Sequence, residues 1–271
     1  MTSFWNRTIF GALYIIVLVF CITNSVYSFG ILFFGLSLFT VNEFCNLISQ
    51  TGNTLNKKLV LPLTALIFIF SFLSAFVFSS NKLIISAIPF FFIPFIIEIF
   101  SNQNQKRFNV SVYEISALIY VAVPFAMLNF LCVLDGKYTY QLLLPIFILI
   151  WANDTFAYLT GITVGKTKFF ETISPKKTWE GTIGGIIFTM IFGYFLNHYF
   201  PILTGKQWML IAMVVSFFGI IGDLVESMLK RNLGIKDSGF FLPGHGGFLD
   251  RFDSFIFAVP FVYVVISWFN L

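Results

Sequence analysis

Long apolar runs separated by short polar breaks dominate the chain from its first residues to its last. Runs of about 17–25 apolar residues match the path of a helix across the hydrocarbon core of a bilayer. The pattern predicts nine membrane helices, over roughly residues 8–23, 26–48, 60–79, 83–100, 111–134, 139–160, 181–200, 207–229 and 252–270. The breaks at 50–58 and 102–107 are rich in Asn, Gln and Lys, with a Gly in the first, as turns require. A membrane barrel would show short alternating segments instead. The expected fold class is all-α, a polytopic helical membrane protein. Residues 1–135 form an N-terminal transmembrane region; residues 136–271 form a C-terminal one with polar loops at 161–180 and 230–251.

Composition sharpens this. The 271 residues are 58% hydrophobic and only 10% charged, against about 25% charged in soluble chains. Cys21, Cys45 and Cys132 lie in or beside separate apolar runs without paired spacing, so they read as small packing residues and give no support to a disulfide framework or a zinc site. Arg7 precedes an apolar run with no small-residue cleavage pattern after it, so a retained first helix is expected. With nine spans, 13 of the 16 lysines and arginines fall on one side; Lys82, Lys137 and Lys206 fall on the other. Excess basic residues mark the cytoplasmic face. The N-terminus and both long loops are therefore expected in the cytosol, and the C-terminus on the opposite side. The net charge of +4 reads as topology and anion handling, with no nucleic-acid partner.

Two stretches carry chemistry. Ionisable residues inside apolar spans are costly and are read as functional by default. Asp154 lies well inside one such run. It is followed by Gly161-x-x-x-Gly165-Lys166-Thr167, one residue short of a phosphate loop and preceded by a membrane span where a strand is needed. Ser174-Pro175-Lys176-Lys177-Thr178 then leads into a helix, with Thr178 placed as its cap and Glu180 in its first turn. A helix N-terminus flanked by lysines suits an anion.

The second stretch, 222–253, holds nine charged residues. Asp223, Glu226, Ser227 and Lys230 recur at i, i+3, i+4 and i+7 and share one helix face. The next helix should begin near Asp250, with Asp253 one turn on. Two facing helices would bring Asp223, Asp250 and either Asp253 or Glu226 together, and crowded carboxylates repel unless a cation bridges them. All-oxygen ligands favour magnesium over zinc. Between the helices, Pro243-Gly244-His245-Gly246-Gly247 forms a turn whose amides suit phosphate, with His245 as a further functional candidate. Glu43 and Glu114 read as carboxylates near the interface or packed between helices. Metal-holding acids and polyanion-holding bases in a membrane point to phosphoryl or nucleotidyl transfer onto a lipid.

At these residues the chain resembles the phosphatidate cytidylyltransferases, the CDP-diacylglycerol synthases. The likeness is carried by Ser227, Lys230, Arg231, Lys236, Asp237, Pro243 to Gly247, Asp250, Arg251 and Asp253 at their mutual spacings. Asp154, Ala157, Tyr158, Gly161, Gly165, Lys166, Ser174 to Thr178, Glu180 and Gly181 extend it. Ile162 departs, standing where many relatives carry a basic residue. The resemblance implies CTP plus phosphatidate giving CDP-diacylglycerol and pyrophosphate, with magnesium and, in some relatives, potassium. It implies Asp223 and Asp250 as metal ligands, and Lys176, Lys177, Lys230, Arg231, Lys236 and Arg251 as contacts to CTP and lipid phosphates. A homodimer in the inner, plasma membrane with a cytosol-facing site is also expected. The rivals are a polyprenol or lipid kinase, and an ion-coupled transporter.

Overall fold

A computed structural model describes residues 2–78, 82–100, 108–235, 238–239 and 246–269. It is helical, with two small hairpins, and it divides into two compact units. The first comprises Met1–Tyr138 with Asp237–Arg251; the second comprises Thr139–Lys236 with Phe252–Leu271.

The first unit contains α1 (Thr2–Asn24), α2 (Val26–Ser49), α3 (Lys57–Phe76), the short α4 (Lys82–Ile85), α5 (Ile93–Phe100), α6 (Phe108–Ala117) and α7 (Val123–Leu131). Two expected continuous spans are broken. A 3-10 turn over Ile88–Phe92, with proline in its first turn, separates α4 from α5, and a π-helical turn over Leu118–Ala122 joins α6 to α7 just before Pro124. Proline lacks the N–H that a continuing helix needs. Phe29, Phe33 and Phe125 are fully buried, and Phe29 packs tilted on Phe33 and on Tyr138. Tyr138 belongs to a hairpin, β1 (Val133–Leu134) with β2 (Lys137–Tyr138), closed by Asp135 and Gly136 at positive φ. In this unit Glu114 reaches across to accept the Asn56 amide at 2.8 Å, satisfying a backbone donor at the start of α3.

The second unit holds α8 (Leu143–Val164), a hairpin of β3 (Lys168–Phe170) and β4 (Ser174–Thr178), α9 (Trp179–Phe195), α10 (Gly205–Asn232) and most of α11 (Leu249–Ser267). Helices α8 and α9 cross almost backbone to backbone. A Cβ on Gly185 would press to 2.8 Å from the Ala157 Cβ, and one on Gly181 to 2.9 Å from the Ala157 carbonyl. Further along, a Cβ on Gly193 would meet Ala212 of α10 at 2.7 Å. Phe147 stacks on Phe255 of α11 at 4.3 Å.

Among the described residues, seven helical runs are long and apolar enough to cross a membrane: Val26–Ser49, Lys57–Phe76, Lys82–Phe100, Phe108–Leu131, Leu143–Val164, Trp179–His198 and Gly205–Asn232. The apolar part of α1, Ile9–Asn24, is shorter. Helix α11 carries Asp250, Arg251 and Asp253 in its opening turns.

Candidate active site

The second unit gathers most of the expected site residues. Thr178 leaves β4 with extended backbone and caps α9, its hydroxyl accepting the Gly181 amide at 3.1 Å. The capping read from the sequence is therefore present. The carboxylate of Glu180 turns back and accepts the Lys166 and Thr167 amides at 3.1 Å. It ties the strand after α8 to the first turn of α9. The hairpin itself was not foreseen, because Ser174-Pro175-Lys176-Lys177 was read only as a polar approach to a helix. Ser174 sits in β4, half-buried, and the Lys166 side chain is exposed.

Across from this hairpin stands the polar end of α10. Asp223, Glu226, Ser227 and Lys230 lie along it as their spacing requires. The Lys177 ammonium forms an ion pair with Asp223. Glu226 is completely buried and pairs with Lys230 at 2.6 Å; Lys230 is itself buried. Ser227 Oγ donates to Asp223 Oδ1 at 3.4 Å. Arg231 Nε donates to the Ile173 carbonyl at 3.4 Å and Nη1 to the Ile235 carbonyl at 3.2 Å, joining the end of α10 to the hairpin.

Asp253 joins this group from α11. Asp223, Glu226 and Asp253 each offer a carboxylate oxygen, all within 4.8 Å of one another. Sequence reasoning left open whether Asp253 or Glu226 would take part; both do. A residue it missed makes this possible. A Cβ on Gly222 would lie 2.6 Å from the Asp253 carbonyl and 2.7 Å from the Phe257 Cβ, so α11 can pass alongside Asp223 only because residue 222 has no side chain. Its place immediately before Asp223 was the signal. At that spacing and an effective dielectric near 20, each pair of charged carboxylates repels by about 3.5 kcal/mol or more. Lys177 and Lys230 offset part of this. The remaining donors are all oxygen, as a hard divalent cation prefers.

A cavity of about 360 Å³ opens beside the acids. Asp154, Lys176, Lys177, Thr178 and Asp223 line its polar side; Tyr158, Ile162 and Ile220 line its apolar side. Asp154 was expected deep in an apolar run. It lies midway along α8 but is exposed, facing this space. The cavity gives its charge a polar surrounding.

Asp250 lies in the first unit, where Oδ2 accepts the Ser238 amide at 2.9 Å, the Ser238 hydroxyl at 3.0 Å and the Gly247 amide at 2.8 Å. Gly246 takes φ +78°, and a Cβ there would also collide with that oxygen. Gly246 and Gly247 thus lie against a carboxylate of their own segment. Arg251 follows, exposed. Lys236, Asp237 and His245 lie outside the described residues.

Comparison with known proteins bears on these residues. A model of the "Cytidylyltransferase family" matches residues 5–269. The chain is similar to proteins named phosphatidate cytidylyltransferase from Staphylococcus haemolyticus and Staphylococcus aureus, at 39% identity over 167 residues, 61% of this chain and 62% of each relative. It is similar to one of the same name from Bacillus subtilis at 46% identity over 125 residues, 45% of this chain and 46% of the relative. The chain thus spans about 62% of the length of the first relatives it matches.

Proposed function

Because this chain belongs to the cytidylyltransferase family, we propose that it transfers the cytidylyl group of CTP to phosphatidate, giving CDP-diacylglycerol and pyrophosphate. One observation carries the reading. Three carboxylates and two lysines converge beside a cavity that is polar on one side and apolar on the other. That combination suits a phosphorylated amphiphile together with a nucleotide triphosphate.

In this reading Asp223, Glu226 and Asp253 hold a divalent cation, taken as magnesium from the all-oxygen donors. Bound magnesium supplies charge neutralisation at the transferring phosphates. Lys176 and Lys177, on the strand that lines the cavity, bind phosphate oxygens, and Lys177 exchanges part of its pairing with Asp223 for them. The amide end of α9 near Thr178 favours negative charge in the same space. A lipid phosphate monoester has its second pKa near about 6, so it is already an anionic nucleophile at neutral pH and needs no strong base. Its oxygen forms the new bond to the α-phosphorus of CTP in line with the leaving group, and pyrophosphate departs with the electron pair of the broken bond. Positioning and charge stabilisation then carry the reaction. Asp250 and Arg251 are kept as a proposed metal ligand and a proposed phosphate contact.

The reading extends to nine passes, with the N-terminus and the transfer site on the cytosolic side of the plasma membrane and the C-terminus opposite. The sidedness of the loops is supported by the one-sided placement of the basic residues, and the number of passes by the nine apolar runs. A homodimer and a potassium ion beside magnesium come from the sequence resemblance alone.

The test is pyrophosphate release and CDP-diacylglycerol formation by the detergent-solubilised protein given CTP and phosphatidate. Turnover should require a divalent cation and disappear in Asp223→Asn and Asp250→Asn proteins that still elute as folded. A phosphorylated lipid formed from ATP would replace this reading with a kinase, and a covalent cytidylyl-enzyme would exclude direct transfer.

A further inference from the structure

A carboxylate outside the acidic group of the second unit is built into the first. Glu43 lies near the end of α2, 8% exposed. Its Oε2 accepts the Leu249 amide at 2.7 Å, across 206 positions of sequence. Leu249 opens α11, so this N–H is one of the donors that a helix cannot satisfy within itself. The other oxygen, Oε1, is enclosed by backbone: a Cβ on either Gly239 or Gly247 would collide with it. The Ser238 hydroxyl and the Phe248 amide also act on this carboxylate. Ser238 and Gly247 are the residues that hold Asp250 Oδ2. Beside them Phe39, one turn earlier on α2, stacks on Phe248 at 5.4 Å.

Two carboxylates therefore share one small shell of donors, and the chain contacting one also contacts the other. Asp250 holds Ser238 and Gly247 from within its own segment. Glu43 fixes that segment to a rigid helix. A site held on a helix keeps its geometry more closely than one held on a loop, and small misplacements cost large factors in rate.

We propose that Glu43 is a positioning residue for the transfer reaction: it locks the Ser238 and Gly246–Gly247 backbone and the first turn of α11, and so sets the direction of the Asp250 carboxylate. This rests on the cytidylyl-transfer reading for its activity readout but not for its structural one. The side-chain length is part of the proposal, because aspartate at 43 would fall one methylene short of Leu249, whereas glutamine retains the acceptor oxygen.

The experiment compares wild type, Glu43→Gln, Glu43→Asp and Glu43→Ala in detergent by hydrogen–deuterium exchange and by CDP-diacylglycerol formation. In Glu43→Ala and Glu43→Asp, exchange at Gly247 and Leu249 should rise about tenfold or more while α9 and the β3–β4 hairpin keep their protection. CDP-diacylglycerol kcat should fall about 100-fold, with KM for CTP changing far less. Glu43→Gln should keep most of the protection and part of the activity. Unchanged exchange at Gly247 and Leu249 in Glu43→Ala would overturn the proposal whatever the activity. A rise spread evenly over all helices would overturn it too, as it would mark a merely structural residue. Wild-type protein inactive with CTP and phosphatidate would instead refute the activity reading and leave the exchange result to decide the role of Glu43.

Discussion

Lys230 and Glu226 show what one residue contributes and how much of it was readable. Their i,i+4 spacing placed them on one face with Asp223 before any coordinates. The spacing did not give their depth: Glu226 is fully buried, so its charge depends on Lys230. Removing one partner of a buried pair leaves an uncompensated charge and costs about 3–5 kcal/mol, whereas replacing both by apolar groups is often neutral. Lys230→Met should therefore lower the thermal unfolding temperature clearly, while the double variant Lys230→Met/Glu226→Leu regains most of the loss. If the two single losses merely add in the double variant, the pair is not energetically coupled. Glu43 marks the opposite case. Its partners are backbone amides at the far end of the sequence, and backbone donors leave no trace in side-chain spacing. Asp154, read as functional from its place in an apolar run, lines the cavity, although that place alone does not say whether its face meets lipid or a cavity.

At the scale of elements, the hydrophobic pattern located every long helix, because length and continuous apolarity are local properties. It did not locate the interruptions at Ile88–Phe92 and Leu118–Ala122, although the prolines beside them are the physical cause. The β1–β2 hairpin had a local signal in Asp135-Gly136, a pair suited to two residues at positive φ. Strands of two residues are too short for alternation to register. The α8–α9 crossing depends on glycine spacing, which the sequence displays but does not explain without knowing the neighbour. The structure makes the difference testable. Gly185→Leu would drive a side chain into Ala157, in a helix pair that carries Asp154 midway along α8 and Thr178 at the start of α9. A Cβ on Gly35 of α2 would meet no atom within 4 Å, so Gly35→Leu serves as the control. Overpacking typically costs about 1–3 kcal/mol, so the Gly185 variant should unfold at lower temperature, and if that strain reaches the site CDP-diacylglycerol formation should fall by about fivefold or more. The Gly35 variant should match wild type. Equal tolerance at both positions would mean that α8 and α9 do not meet so closely in the membrane.

For the whole molecule, the open question is how many of its helices cross the bilayer. Among the described residues, seven helical runs satisfy length and apolarity together; α1 and α11 are the two in question. Helix α11 has 19 residues but opens with three charges, so its apolar part begins only after Asp253. Charge asymmetry does not distinguish seven passes from nine, because dropping one helix at each end leaves the loops between α2 and α10 alternating as before. The ends do distinguish them. With nine passes, Ser25 lies across the membrane from Arg7, and Trp268 lies across from Asp250; with seven, each pair shares a side. Cysteines introduced one at a time at 25, 176, 206 and 268, in a background with Cys21, Cys45 and Cys132 replaced, can be probed in intact cells with a membrane-impermeant maleimide. The nine-pass arrangement requires labelling from outside at 25, 206 and 268 and protection at 176 until the cells are opened. Labelling at 25 and 206 with protection at 268 would mean that α11 returns to the cytosolic face, with its charged first turn held at the surface on which it starts. Labelling at 176 in intact cells would invert the orientation and put the lysines of β4 out of reach of cytosolic CTP.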